Sequence, residues 1–254
     1  MFQFGTRLWK EAIKIARPKF TAKISYDTKP VNPRLGQEYS HMICRHEKYN
    51  LGDKHNFKSE KELFEYLLQK ANIKPEEIGV DMDNIEGSKE KLLEELRKHL
   101  PILPLFLYDG KFPEMTTAQE RRGTKGEFVG YIFMDEEQLE KLFGDAGEDK
   151  IKNGVWYLLE DADLYSNYIS GNNFFYELFK DGEHFCAMSG FIGQVNSEML
   201  HDMEMSAEDM LIGENVTAEE VTDMFGVDAP QIIEDKNVES VPNIESVEYE
   251  EMEM

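Results

Sequence analysis

The chain has 254 residues, and its 28 Lys and Arg stand against 51 Asp and Glu, which gives a formal net charge of −23. Two cysteines are too few for a disulfide scaffold, and no apolar run approaches the roughly 20 residues of a membrane helix. Such acidity argues against nucleic acid or a membrane as a direct partner, and the lack of an apolar signal sequence predicts a cytoplasmic protein.

The charge is distributed unevenly along the chain. Residues 1–60 hold 12 basic and 6 acidic residues, whereas residues 191–254 hold 1 basic and 18 acidic residues. A basic head is thus joined to a very acidic tail. Such asymmetry is typical of an intramolecular contact, of an interaction tail, or of a surface that mimics the charge of a nucleic acid.

The first hundred residues predict a strand and two helices. Residues 1–18 form a basic amphipathic segment, and residues 19–26 alternate polar and apolar side chains as a strand does. A capping box that starts at Ser59 predicts a helix, and Ser88 is the predicted N-cap of a second one. Both helices carry an apolar face, so we expect them to pack on a sheet.

Two apolar strands are predicted in the middle of the chain. Residues 102–108 and 128–134 are almost wholly apolar, so we expect both to be buried. Pro104 lacks a backbone N–H and predicts either a sheet edge or a bulge. Between the strands, residues 111–126 are polar and contain glycine, which predicts a mobile surface loop.

Further helix and turn signals follow. Asp135 is the predicted N-cap of a short acidic helix that ends at Gly144. Residues 149–170 carry one apolar stripe at helical spacing. The dipeptide Asp181–Gly182 predicts the two-residue turn of a hairpin, because glycine readily adopts positive φ.

These elements predict an α+β fold, in which three to four helices pack on a mostly antiparallel sheet. The expected parts are a basic amphipathic segment, an α+β core, a small helical extension and an acidic, largely disordered tail, over residues 1–18, 19–193, 194–226 and 227–254. The tail either increases solubility only or acts as a decoy for a basic nucleic-acid groove.

The segment from His41 to His55 is rich in potential metal ligands, since it holds three of the six histidines and one of the two cysteines. The candidate zinc ligands are His41, Cys44, His46 and His55, with Asp53 as a replacement for His55. Their spacing matches no zinc finger, so the alternative is a polar loop with a buried cysteine and no cofactor. A Cys–His catalytic pair also needs an orienting group, for which the sequence gives no signal.

The remaining carboxylates give no clear catalytic pattern. Asp109 follows a buried strand, where catalytic acids often lie, but a turn-forming Asp explains it more simply. We expect Glu160, Asp161 and Asp163 to form a solvated helix face. Glycine-rich phosphate loops, dinucleotide motifs, GxSxG and HExxH are all absent from the sequence, which favours a protein that is not an enzyme.

Four stretches together resemble a family of proteins encoded by bacteriophages and conjugative or plasmid elements, to which no function is assigned. The order and spacing of the motifs carry the resemblance over residues 19–193. The stretches are Ile24–Asp27 with Asn32–Arg34, Met42–His46 with Tyr49–Asp53, Leu103–Asp109, and Gly126–Phe133. The segment 117–123 departs from the family's pattern, and Gly110 stands where the family has a histidine. The resemblance implies a mobile-element protein that acts in the host cytoplasm.

Three functions are consistent with the sequence. The leading hypothesis is a non-enzymatic accessory protein of a phage or mobile element that binds a basic surface of a host protein. By charge mimicry it would inhibit a nucleic-acid-processing or defence factor. The second hypothesis is a metal-dependent enzyme centred on His41–His55. The third is a virion-associated structural protein.

Overall fold

The computed structural model describes residues 20–144 and 149–195, together with residues 199, 202, 203, 205, 206, 245 and 246. It confirms an α+β fold in which helices accompany antiparallel sheets. The described residues form two compact units, one drawn from Met1–Pro30 with Asn173–Glu239 and the other from Val31–Asn172 with Ser240–Met254. Both units contain parts of the predicted core.

The elements are numbered here in chain order. The strands are β1 (Phe20–Tyr26), β2 (His41–Cys44), β3 (Tyr49–Asn50), β4 (Ile102–Tyr108), β5 (Glu114–Thr116), β6 (Glu120–Arg121), β7 (Thr124–Lys125), β8 (Glu127–Phe133), β9 (Asn173–Lys180), β10 (Glu183–Ile192) and β11 (Glu245–Ser246). The helices are α1 (Glu60–Lys70), α2 (Pro75–Ile78), α3 (Ile85–Leu96), α4 (Glu136–Phe143) and α5 (Lys150–Ile169).

The second unit is built on a four-stranded antiparallel sheet in the order β2-β8-β4-β5. Two hydrophobic clusters lie on its two faces. One cluster joins the sheet to α1 and α3 through Phe64, Leu92 and Tyr131, and the other joins it to α4 and α5 through Leu139 and Leu158. Because side chains alternate along a strand, the same strands supply both clusters.

Of the two helix N-caps predicted in the first hundred residues, one is confirmed and the other is wrong. Ser59 is the N-cap of α1, and its Oγ accepts a hydrogen bond from the backbone N–H of Glu62 at 3.2 Å. The prediction for Ser88 is wrong, because Asn84 caps α3 four residues earlier. The Ser88 hydroxyl instead donates to the carbonyl of Asp81 at 3.0 Å, inside the first turns of the helix.

A bulge, one of the two outcomes predicted from Pro104, lies close to it, but the extra residue is Val129 of β8 and Pro104 itself pairs with Tyr131. The register between β4 and β8 shifts after Leu105, and β5 pairs only with Phe106–Tyr108 of β4. The loop predicted over 111–126 is partly wrong, because that range contains β5, β6 and β7. The sequence gives no strand signal for β6 and β7, because each consists of two exposed polar residues without apolar alternation.

The first unit contains a three-stranded antiparallel sheet in the order β1-β9-β10. The predicted turn is confirmed, since Asp181 and Gly182 have φ angles of 53° and 87° and join β9 to β10. The buried apolar residues of this unit form one cluster. Its members are Ile24, Phe174, Tyr176, Leu178, Met199 and Met203.

Several predictions concern residues that the structure does not describe. The amphipathic segment over 1–18 lies outside the described residues, as does most of the range 194–254. The described positions from 199 to 206 are helical, and β11 pairs antiparallel with β3. Within the described part of the chain, no helix has the length and hydrophobicity of a membrane span.

The N-terminus of α4 combines a capping box with a partly buried ion pair. Asp135 accepts a hydrogen bond from the backbone N–H of Gln138 at 3.2 Å, and Gln138 accepts one from the N–H of Asp135 at 2.9 Å. Lys70 Nζ lies 2.7 Å from Asp135 Oδ2. Burial alone would raise the pKa of the Asp135 carboxyl, but Lys70 and the Gln138 N–H outweigh it and lower the pKa below 3.8.

The substitution Asp135→Asn should therefore destabilise the fold in a pH-dependent way. Asn keeps the N-cap acceptor but loses the charge, so we expect a loss of about 1 kcal/mol at pH 7, modest because Lys70 is partly exposed. Because the pKa of Asp135 is lower in the folded than in the unfolded protein, its charge stabilises the fold at pH values above the unfolded pKa. The stability difference between wild type and Asp135→Asn should therefore shrink as the pH falls below about 4. Urea denaturation at pH 7, 4 and 3 measures it.

The matched control is Asp83→Asn, which removes an Asp–Lys pair of similar length, 2.6 Å between Lys61 Nζ and Asp83 Oδ1, at the solvent-exposed surface. We expect this control to leave the stability unchanged at every pH. A loss for Asp135→Asn that stays constant from pH 7 to pH 3 would contradict the ionic interpretation.

Candidate functional site

The guanidinium of Arg34 is buried, with its side chain 1% exposed, and all five of its N–H groups are hydrogen-bonded. Nε and Nη2 each lie 2.8 Å from an oxygen of Asp53. Nη1 lies 2.5 Å from Asp161 Oδ2 and 3.0 Å from Ser40 Oγ, and Nη2 also bonds to the carbonyl of Ser40 at 3.1 Å. Burial alone would lower the pKa of Arg34, but the two carboxylates raise it.

The burial of Asp161 corrects the prediction of a wholly solvated acidic face on α5. Asp161 is 6% exposed and accepts hydrogen bonds from Arg34 and from the Ser40 hydroxyl. It lies three residues after buried Leu158 and four before buried Tyr165, so it is on the inward face of the helix. The helical spacing of Asp161 indicates this inward position. A charged residue at such a position needs a partner, and that partner is visible only in the fold.

The segment Leu51–Asp53 is held against β2 and α5. Asp53 bonds to both backbone groups of Met42, at 2.7 Å through its carboxylate and at 2.8 Å through its own N–H. The N–H of Gly52 donates to the hydroxyl of Tyr165 at 2.9 Å. Gly52 has a φ of 68°, and a Cβ at this position would lie 2.4 Å from the carbonyl oxygen of Met42. This motif of the sequence is therefore structural.

Gly52→Ala should destabilise the protein far more than Gly123→Ala. Both glycines have similar positive φ angles, 68° and 78°, but nothing lies within 4 Å of a Cβ built at Gly123. The control should lose about 1 to 2 kcal/mol from backbone strain alone, and Gly52→Ala about 3 kcal/mol or more because Met42 must also move. Thermal and urea unfolding measure both, and equal losses would contradict the close approach.

The four predicted zinc ligands do not converge. His41 and Cys44 are three residues apart on β2, so their side chains point to opposite faces of the sheet. His46 stacks on Tyr49 with 4.9 Å between ring centroids, and His55 Nε2 donates to the backbone carbonyl of Cys44 at 2.8 Å. Among the described residues, no three His, Cys, Asp or Glu side chains are grouped so as to hold a metal ion.

Cys44 belongs to the apolar cluster that faces α5. Burial raises the pKa of its thiol well above the usual value, so the reactive thiolate is suppressed. Asp109, the carboxylate considered as a catalytic acid, has a structural contact. It accepts a hydrogen bond from the Tyr49 hydroxyl at 3.0 Å.

Iodoacetamide should therefore modify Cys186 before Cys44 in the folded protein. Cys186 is only partly buried, whereas Cys44 is buried, and alkylation requires an accessible thiolate. Peptide mass spectrometry after timed labelling checks this order of modification, and faster labelling of Cys44 would contradict its burial.

Cys44→Ala should lower the stability of the fold by about 1 kcal/mol, the order expected for the loss of a small buried group.

A cavity of 460 Å³ opens between the start of α1, the start of β8 and the residues that follow β2. His46 lies in its wall, beside Glu127, with 3.7 Å between His46 Nε2 and Glu127 Oε2. The ring of Phe128 also lines the cavity and is 37% exposed. The cavity thus offers space for a ligand beside part of the predicted 41–55 segment.

The outer face of α5 combines exposed apolar and acidic side chains. Trp156 is 61% exposed and Leu164 is 39% exposed. Glu160 and Asp163 are exposed between them, which confirms the predicted solvated face for these two positions. Trp156 belongs to no motif that marks it in the sequence, although it is four residues before Glu160 on the same helical stripe.

No known protein family, curated protein or solved structure matches the chain. The resemblance to proteins of phages and plasmids therefore stays a prediction. The features that bear on function are the outer face of α5, the cavity and the net negative charge of the chain.

Proposed function

We propose that the protein is a non-enzymatic accessory protein that binds a basic surface of another protein through the outer face of α5. The observation that carries the proposal is the exposure of Trp156 on a helix face that also exposes Glu160 and Asp163, with Lys152 as one exposed basic residue beside them. A large aromatic side chain costs free energy when it stays in water, and tryptophan is enriched among the residues that dominate binding energy.

The residues on the outer face of α5 support a partner with apolar pockets beside basic side chains. Trp156 and Leu164 are two turns apart, about 12 Å along the helix axis, and so fit two apolar pockets of one groove. Glu160 and Asp163 lie between them and favour Lys or Arg at the edge of that groove. The net charge of −23 adds long-range attraction to any basic surface and increases the association rate.

The identity of the partner is argued from charge and from the resemblance. Residues 127–254 hold 32 acidic and 5 basic residues, and such density supports competition for a groove that otherwise binds nucleic acid. The resemblance to mobile-element proteins supports a host nucleic-acid-processing or defence factor as the target, in the host cytoplasm. In this proposal the protein inhibits the target by charge mimicry.

The decisive experiment captures partners with the tagged full-length protein from a lysate of the cells in which its gene occurs. Trp156→Ala and Glu160→Gln should each reduce recovery of the specific partner, the former by at least about tenfold. Recovery should also fall as salt is raised from 0.05 to 0.5 M, because exposed charges are screened. Quantitative mass spectrometry measures each amount.

Phe112→Ala is the matched control, because Phe112 is a 43% exposed aromatic residue outside α5. It should leave recovery unchanged. Duplex DNA added to the complex should displace the protein if both bind one basic groove. A partner that is recovered equally well with Trp156→Ala and with wild type would overturn the proposed surface, and one that DNA fails to displace would overturn the mimicry.

A further inference from the structure

The cavity at the start of β8 has both apolar and acidic walls. Leu63 and the rings of Phe128 and Tyr131 supply apolar surface, and Glu60 and Glu127 supply carboxylates. Its volume of 460 Å³ lies within the range of about 300 to 1,000 Å³ that is typical of ligand pockets. The cavity is therefore large enough for an extended side chain together with its charged end.

A lysine of the protein already shows which charge this wall stabilises. The ammonium of Lys89 lies 4.0 Å from the centroid of the Phe128 ring and 2.7 Å from Glu60 Oε1. The negative face of an aromatic ring attracts a cation, and the carboxylate adds a charge-assisted hydrogen bond. Both features remain partly open, because Phe128 is 37% exposed and the side chain of Glu60 is 30% exposed.

The hydrogen bonds at Glu60 leave room for another donor. The Tyr131 hydroxyl donates to Glu60 Oε1 at 2.9 Å, and Lys89 also bonds to Oε1. Burial and the nearby Glu60 carboxylate raise the pKa of the Tyr131 phenol, so it stays protonated and remains a donor. Both bonds end on Oε1, and Oε2 receives none from the described residues.

The balance of charge favours a cationic ligand over an anionic one. Three carboxylates line the cavity, those of Glu47, Glu60 and Glu127. They outnumber the two cationic side chains near them, Arg45 in the lining and Lys89, which pairs with Glu60. An anion would meet this surplus of negative charge as well as the net charge of the whole chain. A cation would gain from both.

A guanidinium fits the walls better than an ammonium does. It is planar, so it can stack on the exposed ring of Phe128, and its several N–H groups can reach two carboxylates at once. It is also less strongly hydrated than an ammonium, so its transfer into a partly apolar cavity costs less free energy.

We infer that this cavity binds the guanidinium of an arginine side chain, stacked on Phe128 and hydrogen-bonded to Glu60 and Glu127. The inference rests on the proposed function only in assigning that arginine to the protein partner. The cavity lies on the α1 side of the sheet and α5 on the other side, so one basic partner contacts both sites only if it extends around the edge of the sheet.

The binding test uses the purified full-length protein and N-acetyl-arginine amide as the probe. N-acetyl-citrulline amide is the matched probe, since it has nearly the same shape but no charge. In NMR titrations we expect the arginine probe to shift the signals of Glu127 and Phe128 with a dissociation constant of about 1 mM. The citrulline probe should bind at least tenfold more weakly, and equal binding of the two probes would overturn the inference.

Two surface variants test the named contacts. Glu127→Gln and Phe128→Leu should each weaken arginine-probe binding at least threefold, and both side chains are exposed enough that the fold should persist. Glu137→Gln and Phe112→Leu are the matched controls outside the cavity and should change nothing. Unchanged binding in Glu127→Gln or in Phe128→Leu would contradict the proposed geometry.

The partner-capture experiment separates this inference from the proposed function. Reduced capture with both Phe128→Leu and Trp156→Ala would support two contact sites for one partner. If Phe128→Leu abolishes probe binding but leaves capture unchanged, the assignment of the arginine to that partner is wrong while the surface on α5 stands. If the probe never binds, the cavity inference fails and the capture result still decides the proposed function.

Discussion

The buried guanidinium of Arg34 joins parts of the second unit that are far apart in the sequence. Its hydrogen bonds reach Asp53 after β3, Asp161 in α5 and Ser40 just before β2. Taking a guanidinium out of water costs several kcal/mol unless its donors are all satisfied, and here all five are. Arg34 therefore helps to fix the position of α5 against the sheet, together with the packing of Leu158 and Tyr165.

Local signals in the sequence were sufficient for most of the elements. The caps at Ser59 and Asp135 and the turn at Asp181–Gly182 involve residues within three positions of one another, so their hydrogen bonds can be inferred from spacing. Ser88 shows the limit of such signals, because Asn84 offers an equally good cap one turn earlier and the sequence does not rank the two.

The candidate sites were much less predictable, because they depend on contacts between distant residues. The histidines at 41, 46 and 55 are near one another in sequence, but the alternation of β2 and the turn that follows it direct them to different surroundings. Asp161 looks like a surface carboxylate until Arg34 is placed beside it. The cavity likewise combines β8 with a helix more than 60 residues earlier in the chain.

Strand β8 lies between β2 and β4 and supplies side chains to both hydrophobic clusters. Tyr131 and Phe133 pack on the α1 side, whereas Val129 and Ile132 pack on the α5 side. Neither layer of helices can thus detach without exposing apolar surface on a strand that the other layer also needs. Thermodynamically, the two layers are linked, so the second unit should lose its structure in one cooperative transition, with the amide protons of β8 the slowest to exchange with solvent.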